Sequence, residues 1–180
     1  MVITLIGYRG CGKTSVARLL AEHLGWEWVD ADVALEAEAG KSIKEIFETE
    51  GEASFRQRER RLIQAFLQKK NLVLASGGGA ILNSETRQKM KQAGPVIWLN
   101  ATVDTLTARI EADALSRSQR PSLTGQSSTA EVAQVLKERE PLYREAATLI
   151  IETDILSPEE IAREIESQLE VILKPSDGSN

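Results

Sequence analysis

One cysteine, Cys11, and one histidine, His23, are all that the sequence holds of those residues. An internal disulfide is therefore impossible, and so is a metal or catalytic centre built on several imidazoles or thiolates. No apolar run approaches the roughly 18 residues needed to cross a bilayer, and the first residues lack a basic stretch followed by an apolar segment and a cleavage site. A cytoplasmic protein with no membrane partner is the expectation. Basic charge is also short: 22 Lys and Arg stand against 27 Asp and Glu, for a net charge of −5. That balance argues against nucleic acid as the main partner. The tryptophans Trp26, Trp28 and Trp98 fall in strand-like runs and read as core or rim rather than as a base-stacking platform.

What is present fits one compact domain over residues 1–180. Short apolar runs predict strands at Val2 to Ile6, Trp26 to Val29, Leu72 to Ala75, Val96 to Leu99 and Leu149 to Ile151. Helical spacing predicts helices over 14–24, 32–39, 42–50, 52–68, 84–91, 102–112 and 129–142. A last helix is signposted by Ser157 as cap, Pro158 in the first turn and a stripe of Ile161, Ile165, Leu169 and Ile172. Alternating strands and helices point to a parallel sheet covered on both faces, an α/β fold. Residues 113–128 are polar, contain Pro121 and Gly125 and lack an apolar stripe, which predicts a lid-like loop. Residues 174–180 read as a frayed tail.

Gly7-Tyr8-Arg9-Gly10-Cys11-Gly12-Lys13-Thr14 fits the pattern G-x-x-x-x-G-K-[ST] and falls between a strand and a helix, where phosphate binding needs it. Gly10 and Gly12 let the backbone turn its N–H groups, that of Cys11 among them, toward phosphate oxygens at a helix N-terminus. Lys13 is placed to reach the β- and γ-phosphates, Thr14 to ligate Mg²⁺, and Ser15 to add a hydroxyl near the α-phosphate. The Cys11 side chain reads as a small residue filling the loop, because a nucleophile would need a base partner.

Asp30-Ala31-Asp32 places two carboxylates at the end of the second strand, on one side if that segment is extended. One then serves Mg²⁺, through water, and the other orients or deprotonates a hydroxyl; a helix cap with a solvated neighbour is the alternative. Arg56 and Glu59 lie three apart on one helix face, either as a surface pair or with Glu59 aiming Arg56 at a substrate anion. Gly77-Gly78-Gly79 ends the third strand as a turn that something can approach closely.

Taken together, Gly7 to Thr14, Asp30-x-Asp32, Gly40-x-Ser42-Ile43 with Ile46-Phe47, Gly51-Glu52 with Phe55-Arg56-x-x-Glu59, Gly77-Gly78-Gly79, Arg120-Pro121 and Arg139-x-Pro141-Leu142-Tyr143 resemble the shikimate kinase family in order and spacing over about residues 1–173. The resemblance implies a three-layer α/β/α P-loop kinase fold like that of nucleoside monophosphate kinases, with five parallel strands in the order 2-3-1-4-5. It implies transfer of the ATP γ-phosphoryl group to the 3-hydroxyl of shikimate with Mg²⁺, on the way to chorismate; a monomer is the separate expectation. It further implies an acceptor-binding segment at about 32–60, Asp32 as base on the shikimate hydroxyls, and Arg56 and Arg139 as the carboxylate clamp. Gly78 and Gly79 would line the acceptor, Thr14 and Asp30 would serve the metal, and Arg120 would close over the phosphates.

The sequence departs from the family pattern at Ser122, where a leucine is usual, in the length between Arg109 and Arg120, and after the last strand, where Glu152-Thr153-Asp154 offers no arginine or asparagine to adenine. Arg109 has no assigned role, and neither has Arg117. A gluconate or nucleotide kinase shares the cradle and sheet but leaves the Arg56 and Arg139 pair without an account. A catalytically silent nucleotide-binding module is the remaining alternative.

Overall fold

The computed structural model describes residues 1–112 and 128–173. Five strands, β1 (Val2–Ile6), β2 (Glu27–Asp30), β3 (Leu72–Ala75), β4 (Val96–Asn100) and β5 (Leu149–Glu152), form one sheet in the order β2-β3-β1-β4-β5. Every pairing is parallel, with Val2 opposite Leu72 and Thr4 opposite Val96 on the two sides of β1. The expected strand order and fold class are thus observed. Parallel neighbours require crossovers, and helices supply them on both faces.

The pleat sorts β1 between two cores. Ile3 and Leu5 join Val73, Ile97, Leu99 and Ile151 against α1 (Lys13–Leu24) and α7 (Pro158–Leu173). Val2 and Ile6 turn to the other face, where Leu74, Val96 and Trp98 meet Ile63, Met90 and Tyr143. Those partners come from α3 (Ile43–Phe66), α4 (Ser84–Ala93) and α6 (Ser128–Ala146). A third, small cluster of Leu35, Ile43, Ile46 and Phe55 lies between α2 (Ala31–Ala39) and α3. Completing the helices is α5 (Val103–Ala112), with Leu106 and Ile110 buried on the α1 face.

Local signals account for most element ends. Ser157 caps α7 and exchanges hydrogen bonds with Glu160, a capping box, and Ile161, Ile165 and Leu169 are buried as the stripe requires, although Ile172 is exposed. The two helices expected over 42–50 and 52–68 run on as α3, bent at Gly51 (φ 82°, ψ 169°), a conformation open essentially to glycine alone. Helix α6 overruns its expected end at Leu142 and carries Pro141 inside it. Its last turn is held by tertiary packing: Tyr143 and Ala146 are fully buried, and the Tyr143 ring stacks on Trp98 at 5.6 Å. Trp28, on the edge strand β2, is exposed, a rim residue as read from the sequence. Among the described residues no helix is long and apolar enough to cross a membrane.

Candidate functional site

Strand β1, at the centre of the sheet, runs into the loop of residues 7–12 and then into α1, whose N-terminus opens onto a cavity of about 340 Å³. Gly10, Gly12, Lys13, Thr14 and Ser15 line that cavity on one side. Lys13 Nζ donates to the carbonyls of Gly7 (3.0 Å) and Tyr8 (2.9 Å) and lies 3.6 Å from Cys11 Sγ. The Cys11 side chain is buried, as expected of a residue filling the loop, but its N–H donates to the Tyr8 carbonyl at 3.3 Å, where the sequence motif turns it toward phosphate; the turn of the loop closes on itself there.

Asp30 and Asp32 line the cavity too, by a different route from the one expected. The extended segment stops at Asp30, which caps α2: its Oδ1 accepts from the N–H groups of Asp32 (2.9 Å) and Val33 (3.3 Å). Asp32 sits in the first helical turn, so strand alternation does not relate the two acids. The competing rule, an aspartate capping a helix, won here. The other Asp30 oxygen, Oδ2, accepts from Thr14 Oγ1 at 2.5 Å, joining β2 to the start of α1.

Gly77, Gly78 and Gly79 form the floor on which the acceptor-side residues meet. A Cβ on Gly77 would stand 2.6 Å from Glu59 Oε1 and 2.8 Å from Asp32 Oδ1, and one on Gly79 would collide with the Arg56 guanidinium. Arg56 donates to Glu59 at 2.8 Å; Glu59 is only 4% exposed, so this is a half-buried pair and not a solvated one. From α6, Arg139 Nη1 (3.2 Å) and Tyr143 Oη (2.7 Å) both donate to the Gly78 carbonyl. Burial pushes the Tyr143 phenol up, keeping it a donor. Held so, the Gly78 carbonyl fixes the peptide plane, and the Gly79 N–H of that trans unit points the opposite way. Asp32, Arg56, Glu59 and Arg139 thus converge on one glycine turn beside a phosphate-type loop.

The sequence model of shikimate kinase matches residues 9–170. The chain belongs to the shikimate kinase family. A shikimate kinase from Rhodopirellula baltica is 45% identical over 161 residues, covering 89% of this chain and 86% of that one. One from Symbiobacterium thermophilum is 41% identical, covering 94% and 97%. Among solved structures, a shikimate kinase from Acinetobacter baumannii in complex with shikimate superposes with a TM-score of 0.90 at 37% identity, over 97% of this chain and 95% of that one. A gluconokinase from Sinorhizobium meliloti reaches a TM-score of 0.57 at 18% identity, a likeness of fold alone.

Other members of the cavity wall carried no assignment from sequence, among them Arg9, Glu36, Ser76 and Arg109. Arg109, whose role was open, reaches from α5 to the segment after β5, donating to the Thr153 carbonyl (2.6 Å) and to Thr153 Oγ1 (3.3 Å). Arg9 occupies a position that the phosphate-loop pattern leaves free, so no rule singled it out. Arg117, Arg120 and the expected lid lie outside the described residues, except that Ser128, its last residue, begins α6; the tail at 174–180 lies outside them as well.

Proposed function

We propose that this chain moves the γ-phosphoryl group of ATP to the 3-hydroxyl of shikimate, giving shikimate 3-phosphate and ADP, in the cytoplasmic route to chorismate. The observation that carries the reading is the convergence of Asp32, Arg56 with Glu59, and Arg139 on Gly77 to Gly79, beside the loop of residues 7–14. Two guanidinium forks suit a small planar carboxylate, because each can make paired charge-assisted bonds that lysine cannot. The chain acts as a single domain and a monomer, with residues 32–60 as its acceptor-binding segment.

In the transfer, the shikimate hydroxyl oxygen bonds to the γ-phosphorus as the bond to the β–γ bridging oxygen breaks, and the hydroxyl proton passes to an Asp32 carboxylate oxygen. Lys13 turns from the Gly7 and Tyr8 carbonyls to the β- and γ-phosphates, helped by the backbone N–H groups of Gly10 and of residues 12–15 and by the Ser15 hydroxyl. Gly78 and Gly79 present backbone N–H to the acceptor, and Glu59 aims Arg56. Arg120 is assigned to the phosphates from the lid.

The Thr14 hydroxyl and Asp30 Oδ2 are hard oxygen donors 2.5 Å apart on the cavity wall, and they fit Mg²⁺, which takes one or two protein groups and leaves the rest to phosphate and water. Asp30 Oδ1 is occupied by α2, so Oδ2, with the Thr14 hydroxyl, would be the oxygen to hold the ion or its water. When bound, the ion neutralises charge building on the phosphate oxygens.

ATP turnover measured in parallel with shikimate, gluconate and a nucleoside monophosphate tests the substrate. Shikimate-dependent ADP release is expected and also excludes a silent binding module; preference for gluconate or a nucleotide overturns the proposal. Within it, Asp32→Asn lowers kcat by about 10²- to 10⁴-fold, while Arg139→Ala raises the shikimate KM by about 10- to 100-fold.

A further inference from the structure

Among the cavity residues, Arg9 has the most unusual partner. Its Nη2 lies 3.1 Å from Oε1 of Glu131, 122 positions further along the chain, and the Glu131 carboxylate is 2% exposed. The guanidinium Nε is buried, and no hydrogen bond reaches it among the described residues. A buried ion pair of this kind is weak evidence for stability, since well-packed apolar residues usually do as well. Its geometry is informative instead.

Glu131 stands in the first turn of α6, and Val135, Arg139 and Tyr143 follow at steps of four along the same helix. Side chains four apart share a face. Near the start of the helix Glu131 holds the phosphate loop; further along it Arg139 and Tyr143 hold the Gly78 carbonyl. Val135, between Glu131 and Arg139, and Tyr143, one turn beyond Arg139, are both buried, so the helix is seated in the core along this span. The charges lie close together: Arg9, Glu131 and Arg139 all act on the buried Tyr8 phenol, which burial raises above its ordinary range, the arginines pulling it down and the glutamate pushing it up.

We propose that Glu131 is a positioning residue for phosphoryl transfer: through Arg9 it fixes α6 on the phosphate loop, and so sets the distance between Arg139 and the ATP-binding backbone. Donor and acceptor are then held by one strut. Misplacement of about 1 Å costs on the order of 100-fold in a transfer that depends on alignment. The inference rests on the assignment of Arg139 to the shikimate carboxylate.

The test compares Glu131→Gln, Arg9→Gln, the double variant and Arg139→Ala with the unaltered enzyme, reading kcat, both KM values, the ratio of ADP to shikimate 3-phosphate formed, and the melting temperature. Each single change at the pair is expected to lower kcat by about 10- to 100-fold, with less effect on the KM for ATP. Poor alignment lets water compete, so the ADP to product ratio rises above one. The double variant is expected to be no worse than the worse single, because both remove the same tie. A folded Glu131→Gln enzyme with unaltered kcat and ratio overturns the proposal, as do single effects that multiply in the double. Should Glu131→Gln not fold, Arg9→Lys and Arg9→Gln carry the same test, Lys retaining part of the kcat that Gln loses. An unchanged shikimate KM in Arg139→Ala removes the clamp assignment itself, whereas a raised KM beside an indifferent Glu131→Gln removes only the strut.

Discussion

Gly79 shows how little room the acceptor side leaves. The atoms that a methyl group there would meet belong to the Arg56 guanidinium, the far end of a flexible chain. Gly79→Ala is therefore expected to fold with a melting temperature near that of the unaltered protein, while Arg56 swings off Glu59 and the shikimate KM rises about tenfold. An unchanged KM would separate Arg56 from the acceptor. Residues fixed by short spacing, such as Lys13 and Thr14 in their loop or Arg56 and Glu59 three apart, were legible before any fold was known. Arg9 with Glu131, and Tyr143 with Gly78, were not: their partners are 122 and 65 positions away, and nothing local marks either end. Asp30 lies between these cases. Its cap was open as an alternative from the aspartate before a helix, yet the strand preceding it favoured the extended reading.

At the scale of the element, α3 bends at Gly51, five residues before Arg56. Nothing lies within 4 Å of a Cβ placed on Gly51, so an alanine there meets only backbone strain, about 1 to 3 kcal/mol. Gly51→Ala is expected to lower the melting temperature by roughly 2 to 4 °C for each kcal/mol and to raise the shikimate KM as the second half of the helix turns. Full retention of both would show that the bend tolerates a side chain. Glu50 braces the bend by accepting from Ser54, Arg58 and Lys41, bonds that hold its carboxyl from the ordinary 4.5 down to about 2. That brace is complete above pH 4.5 and is lost as the pH falls toward 2. Strands were legible to within a residue or so, because buried parallel strands are nearly all apolar. The end of α6 was not. Pro141 and the helix propensities argue for an early stop, and only the seat of Tyr143 on Trp98 explains its continuation.

For the whole molecule, a net charge of −5 coexists with binding of anions because the positive side chains are placed, not numerous. Ligands that hold two elements together stabilise the fold they join. Shikimate at about 100 times its Kd contributes about 2.7 kcal/mol, which for a domain of this size raises the melting temperature by roughly 5 to 10 °C. Gluconate at the same concentration is expected to leave the melting curve in place; an equal shift with gluconate would put the acceptor pocket in doubt. The alternation of strand and helix made the layered architecture legible, whereas the strand order came with the family resemblance, since hydrophobic pattern alone does not say which strand lies in the middle.

That middle strand carries a consequence for synthesis. Val2–Ile6 precedes every other element of the sheet, yet its two neighbours begin at Leu72 and Val96. A chain emerging from the ribosome displays a five-residue strand, apolar but for Thr4, with both edges unpaired until the third strand appears, and half its ladder is still open until the fourth does. Non-local pairing of this sort is slow and leaves strand edges exposed in the meantime. The nascent first strand is accordingly where a chaperone has most to protect.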